Sequence, residues 1–295
     1  MDADGGWRCA ANCAIIFVHA SRITVRDLAA KQAVGGNAAL EYIHSLIYIC
    51  PLAFLAGFID SSAGGGGTVS IPAYLLTGMP AHLAFGTNKL SASIGTIVAA
   101  GRFIRNKAID FRTAFTAAAL AVLGSALGSR FLLLLDDRTL RIMLIIALPC
   151  VAAFLVLRRG GSHESGREGM SVRKAVVLAS VVGFFIGMYD GVIGPGTGTF
   201  AIIAFNVLLR QDLKVASGNA KILNLSSNLA SLVTFALAGQ VLYVLALPAA
   251  VFSIAGNYLG SGFAIRKGAK FIRPMLLVVL GLLLSKVIFD FASSL

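Results

Sequence analysis

The sequence predicts an all-α polytopic membrane protein made of two inverted repeats of about five membrane elements each, with Gly-rich broken helices. Three observations predict it. Of 295 residues, 57% are hydrophobic and only 13% charged, with mean hydropathy +0.85, whereas roughly a quarter of a soluble domain is charged. The apolar residues form blocks as long as the ~20 residues that cross ~30 Å of hydrocarbon. Finally, the chain contains itself twice. Gly124-Ser125 and Gly128-Ser129 match Gly256-Asn257 and Gly260-Ser261 at an offset of 132, which also pairs Gly86 with Gly218 and Lys89 with Lys221. Upstream the offset slips to 130, pairing Gly57 with Gly187, Asp60 with Asp190, Gly64 with Gly194 and Gly66 with Gly196. Chance similarity of Leu and Ala blocks would not bring such rare positions into register.

Residues 1–41 read as an N-terminal extension of unclear role. Their apolar run, 11–20, is too short to span and only weakly resembles a signal peptide. The first transmembrane repeat, 42–157, reads as elements at 42–63, a short one at 68–78, then 83–104, 112–134 and 138–157. A polar, glycine-rich linker follows at 158–173. The second repeat, 174–292, reads as 174–193, a short element at 197–209, then 215–237, 241–264 and 272–292.

The charges set the topology. If all elements cross, one side receives the clusters Arg102–Arg112, Arg158–Lys174, Arg210–Lys214 and Arg266–Arg273, and the other side is nearly free of basic residues. That is the positive-inside pattern. If the short elements turn back, basic loops fall on both sides. Five crossings per half invert the halves, put both termini outside and make the linker cytoplasmic. Inverted repeats with discontinuous helices are a recurrent transporter plan, with the substrate site near the midplane. The net charge of +12 belongs to these loops, so nucleic acid is not an expected partner. Cys9, Cys13, Cys50 and Cys150 are scattered and offer no metal, haem or disulfide pattern. No cofactor is expected.

The stretch GFIDSSAGGGGTVSIP, 57–72, and its counterpart YDGVIGPGTGTF, 189–200, break helices at membrane depth. Backbone polar groups cannot be left unpaired in lipid, so such a break must be surrounded by protein or water. A helix restarting there aims free N–H groups and the positive end of its dipole back at the break, which makes an anion site. Gly64, Gly65, Gly66, Gly67, Thr68, Gly194, Gly196, Thr197 and Gly198 are therefore substrate-binding candidates, with Thr68 or Thr199 as N-cap. Close helix packing through small residues is the competing explanation of the glycines.

Ionisable groups inside membrane segments are functional candidates. Lys89 and Lys221, with two helix N-termini, would make a strongly positive pocket; the alternative is that they snorkel to the headgroups. Asn88 and Asn224 flank the lysines and Asn219 lies close by, so these three join the candidate site. Thr87, Ser226, Ser227 and Asn228 either line the cavity or join helices. Asp60 and Asp190 are candidates for a coupling proton; alternatively each caps its broken helix or pairs with a lysine.

GFIDSSAGGGG followed by AFGTNKLSASIGT, 84–96, and then SGNAKILNLSSNLAS, 217–231, resembles the sulfite exporter TauE/SafE family of membrane permeases. The resemblance covers about residues 45–290. It implies a permease for small sulfur-containing anions, such as sulfite or sulfoacetate, in a bacterial-type plasma membrane. One departure is visible: Pro195 and Thr197 stand where the first break has Gly65 and Gly67, so the half-sites are not expected to be equivalent. The expected function is a secondary transporter of a small anion. An anion channel is the alternative, followed by an intramembrane enzyme using Asp60 and Asp190. The sequence contains no GxxxxGK[ST], HExxH or GxSxG motif. The expected partners are a small anionic substrate and the lipid bilayer, with a homo-oligomer left open.

Overall fold

The computed structural model describes residues 38–140, 142–143, 170–268 and 270–272. Every regular element among them is helical. In chain order they are α1 (Ala38–Ala63), α2 (Gly67–Leu76), α3 (Ala81–Arg105), α4 (Phe111–Leu133), α5 (Val172–Val192), α6 (Thr197–Val207), α7 (Leu213–Leu237) and α8 (Tyr243–Lys267). The expected fifth elements, 138–157 and 272–292, lie outside the described residues beyond short helical starts at 137–140 and 270–272. So do nearly all of the N-terminal extension and of the linker 158–173, together with Cys9, Cys13 and Cys150. Cys50 is a buried free thiol.

Local chemistry sets the helix starts. The Ser171 hydroxyl accepts from the Lys174 amide at the start of α5, and the Asp212 carboxylate accepts from the amides of Lys214 and Val215 at the start of α7. Asp136 accepts from the Thr139 hydroxyl and amide, which holds its carboxyl below the usual carboxylate range. The two short helices are different. Thr68 and Thr199 were the expected N-caps, yet α2 and α6 are preceded by Gly66 and Gly196, with no side-chain cap. Both threonines lie inside the first turn and spend their hydroxyls as donors, Thr68 to the Gly65 carbonyl at 2.7 Å and Thr199 to the Ala63 carbonyl at 3.0 Å.

α1, α4, α5, α7 and α8 are each long and apolar enough to cross a membrane. α3 is as long, at 25 residues, but buries Thr87, Asn88, Lys89, Ser91 and Ser93. α2 and α6, with 10 and 11 residues, rise only ~15 Å each, about half the hydrocarbon thickness. The outer surface carries Phe115, Leu123, Phe185 and Val251, and the interior is rich in Ala, Gly and Ser. Lipid tails are as apolar as leucine, so membrane helices gain from close packing through small residues.

The packing is reciprocal. α4 lies against α5 and α8 against α1; α3 contacts α8 and α7 contacts α4; α3 and α7 meet in the middle. A Cβ on Gly124 would fall 2.1 Å from the Phe184 carbonyl oxygen, and one on Gly256 2.0 Å from that of Phe54. Gly128 faces Met188 and Gly260 faces Phe58, each at 2.3 Å by the same measure. Phe54 and Phe184 are repeat mates, as are Phe58 and Met188. Each half therefore returns the contact that it receives.

Candidate functional site

The two breaks meet. Gly64, Gly65, Gly194 and Gly196 have φ between +73° and +95°, a region that side chains with a Cβ rarely enter. A Cβ on Gly64 would lie 2.1 Å from the Gly198 carbonyl carbon, and one on Gly66 2.4 Å from the Ala56 oxygen. These glycines, and Gly198 facing Gly64, allow backbone to touch backbone. Gly67 and Gly194 differ: the nearest atoms to a Cβ there are 3.5 and 3.6 Å away. Close packing thus accounts for Gly64, Gly66 and Gly198, and not for Gly67 and Gly194. The second break is also braced by the Tyr189 hydroxyl donating to the Pro195 carbonyl at 2.6 Å and by Thr197 donating to Gly194 at 2.6 Å.

Beside the breaks lies a cavity of about 40 Å³. Its wall takes Asp60 from α1, Gly65, Gly66, Gly67 and Ser70 from the first break and α2, and Asn88, Lys89 and Thr96 from α3. Asp190, Gly194, Thr197 and Gly198 come from the second break, Asn224 and Asn228 from α7, and Ser253 and Asn257 from α8. Among the described residues, no protein group accepts from the amides of Gly65, Gly66 or Gly67, while the next turn closes normally, Thr68 onto Gly65 and Ser70 onto Gly66. These are the free donors expected of a helix N-terminus.

The lysines do not make a positive pocket. Lys89 Nζ is 2.7 Å from Asp190 Oδ2, and Lys221 Nζ is 2.8 Å from Asp60 Oδ2. Each lysine of one half is neutralised by the aspartate of the other, and both are buried, so they do not snorkel. The physical reason is desolvation: an unpaired ammonium at this depth would be prohibitively costly. Asp60 and Asp190 thus each pair with a lysine, one of the alternatives read from the sequence. Lys89 also donates to the Asp190 carbonyl at 3.0 Å and to Asn228 Oδ1 at 2.9 Å, so all three of its donors are used. Lys221 has a single hydrogen bond among the described residues, to Asp60.

Amide side chains join the two pairs. Asn224 donates to Asp60 at 3.4 Å, Asn228 donates to Asn224 Oδ1 at 3.2 Å, and Lys89 donates to Asn228. The path runs Lys221–Asp60–Asn224–Asn228–Lys89–Asp190. Asp60, at 16% exposure, is the most open member and faces the cavity; Asp190 is 3% exposed.

Of the sequence-predicted residues, Lys221, Asn219, Gly64, Thr68 and Gly196 are not on the cavity wall. Lys221 stands behind Asp60. Asn219 accepts the Asp110 amide at 2.9 Å and donates to Thr113 and Gln211. Its repeat partner Thr87 accepts the Leu242 amide at 3.0 Å. Both secure the turn that enters the fourth helix of the opposite half. Ser227 accepts from Ser125 through its carbonyl and so joins α7 to α4. Sequence reading passed over Ser70, Ser91, Thr96, Ser253 and Asn257. The available signal was a polar side chain recurring on one face of an apolar segment: Asn88 and Thr96 are two turns apart, and Ser253 and Asn257 one turn apart. Three buried oxygens, Asn88 Oδ1, Thr96 Oγ1 and Asn257 Oδ1, have no hydrogen-bond partner among the described residues. The described residues hold no group of three or more His, Cys, Asp or Glu able to ligate a metal.

Comparison with known proteins supplies the class. Residues 49–287 match the family described as Sulfite exporter TauE/SafE. The chain is 35% identical over 237 residues to "Probable membrane transporter protein" of Haemophilus influenzae, covering 80% of this chain and 92% of that one. It is 35% identical over 260 residues to "Probable membrane transporter protein YfcA" of Escherichia coli K12, covering 85% and 95%. It is 33% identical over 237 residues to "Probable membrane transporter protein ORF9" of a Sinorhizobium species, covering 80% and 89%. No solved structure matches. With its helical membrane-spanning architecture and paired helix breaks, the chain belongs to the TauE/SafE sulfite exporter family and is a multi-pass membrane transporter.

Proposed function

We propose that the protein is a secondary transporter of a small anion, sulfite or a small sulfur-containing organic acid, across the plasma membrane. The halves are oriented oppositely in the bilayer, with the linker 158–173 cytoplasmic and both termini outside. The observation that carries this reading is the set of free backbone amides at Gly65, Gly66 and Gly67, on the wall of a small cavity between two helix breaks. Such amides and the dipole behind them favour an anion without adding a fixed charge, and alternating access arises as one half moves against the other around the site. Sulfite as cargo is supported by the family name alone. A carrier is favoured over a channel because the ion pairs and touching breaks close the centre on both halves.

The test is uptake of labelled sulfite, sulfate and sulfoacetate into proteoliposomes, with Gly67→Val as the blocking variant. Its side chain fills the cavity, whereas lysine variants would leave a buried aspartate unpaired. Saturable uptake with counterflow, lost in Gly67→Val, supports the carrier. Flux that does not saturate favours the channel, and no flux of any anion overturns the reading.

A further inference from the structure

The cavity holds no surplus of formal charge: Lys89 on its wall is paired with Asp190, and Asp60 with Lys221 behind it. Its positive potential comes from the N-termini of α2 and α6, each worth about half an elementary charge. That sum matches one negative charge, not two.

The wall also has acceptors that need a donor. Asn88 Oδ1, Thr96 Oγ1 and Asn257 Oδ1 are buried and unpartnered, on residues no more than 5% exposed. The Asn257 amide nitrogen donates to Ser253 O at 3.0 Å and Oγ at 3.3 Å, which fixes its oxygen as the free end. The repeat mates of Thr96 and Asn257 are Asn228 and Ser125, and both of those are satisfied: Asn228 by Lys89, and Ser125 by Ser227 and Ser231. The unsatisfied acceptors thus belong to one half-site, the one beside Asp60. An oxyanion without hydrogen can accept from the Thr96 hydroxyl but cannot serve the amide oxygens of Asn88 and Asn257; a bound species bearing a donor can. The volume of about 40 Å³ holds about three waters, at ~10–15 Å³ each on this measure, which is the size of an anion of four or five heavy atoms.

From these features we infer that the cavity takes a singly charged oxyanion that still carries a proton, with hydrogen sulfite as the matching probe. Its anionic oxygens lie on the amides of Gly65–Gly67, and its hydrogen is donated to the acceptor wall. The inference rests on the anion-transporter reading and narrows it to the protonated monoanion.

The experiment uses full-length protein in lipid nanodiscs, with no gradient, and reads binding by ligand-induced thermal stabilisation. The probes are sulfite at pH 6 and pH 8, sulfate, and methanesulfonate, a monoanion of five heavy atoms with no donor. Sulfite affinity is expected to fall from the lower to the higher pH in proportion to its hydrogen sulfite fraction. Methanesulfonate should bind about tenfold more weakly than hydrogen sulfite, the worth of one hydrogen bond, unchanged between the two pH values, and sulfate should not bind. Thr96→Val keeps the side-chain shape and removes a hydroxyl of the wall that can donate or accept. It should weaken hydrogen sulfite by about tenfold without lowering the unliganded melting midpoint, whereas a structural role would lower it. Sulfate or methanesulfonate binding as tightly as hydrogen sulfite overturns the inference. If Thr96→Val does not fold, the order of the probes on the unaltered protein decides. Binding of the dianion with intact transport removes this inference alone; no binding and no transport of any anion removes the transporter reading with it.

Discussion

Lys89 and Lys221 hold matching places in the repeat and do different work. Lys89 is fully hydrogen-bonded in a pair exposed by no more than 3%. Lys221 meets an aspartate that opens onto the cavity. Removing one partner of a buried pair leaves an uncompensated charge and costs ~3–5 kcal/mol, while replacing both with apolar groups is often neutral or better. Lys89→Ala is therefore expected to lower the denaturation midpoint in detergent sharply. The double variant Lys89→Met with Asp190→Leu should recover most of that loss; an additive loss would show that the pair is not coupled. Asp60→Asn keeps the shape of a partly exposed group. It should lose transport and, because fully buried Lys221 then keeps no charged partner, lower the melting midpoint as well, measured by uptake and by melting on the same preparations.

At the scale of helices, glycine marks where elements touch. A Cβ on Gly86 would fall 1.9 Å from the Gln240 carbonyl oxygen, and one on Gly218 would fall 1.9 Å from that of Ala108. Overpacking of tight contacts costs ~1–3 kcal/mol or more, so Gly86→Ala and Gly218→Ala should destabilise by similar amounts, read as equal shifts in melting midpoint. Gly101→Ala, with nothing within 4 Å of its Cβ, should be tolerated. The described helices were legible in the sequence because their apolar blocks and glycine breaks are local signals. Which glycines pack and which face the cavity was not legible, because Gly64 and Gly67, three residues apart, are told apart by the left-handed backbone of Gly64 and by what the other half places against each. The lysine–aspartate pairing was legible only as one of several options. It depends on Asp190 and Lys89 meeting across 101 residues of chain, and no spacing rule encodes that. Thr68 misled for a related reason: a hydroxyl near a helix start reads as a cap until the backbone shows where the turn begins.

For the whole molecule, the main contacts run between the halves rather than within them. α1 leans on α8 and α4 on α5, and both ion pairs cross from one half to the other. Each half alone would bury a lysine and an aspartate without partners. Cutting the chain within 158–173 and producing the pieces separately should give two fragments that fail to accumulate in the membrane. Producing them together should restore a detergent-stable complex, measured by co-purification of differently tagged pieces. Separate accumulation of either fragment would contradict the dependence.

The reciprocal ion pairs also bear on how such a chain could arise. A half-length ancestor with one lysine and one aspartate could not satisfy them within a single copy. Two copies pairing reciprocally would satisfy all four charges at once. The pairing therefore already suits a homodimer of half-chains, and gene fusion would have joined two partners that already depended on each other. In a fused chain each copy is free to differ, as Asn228, which bridges the ion pairs, differs from Thr96, which faces the cavity.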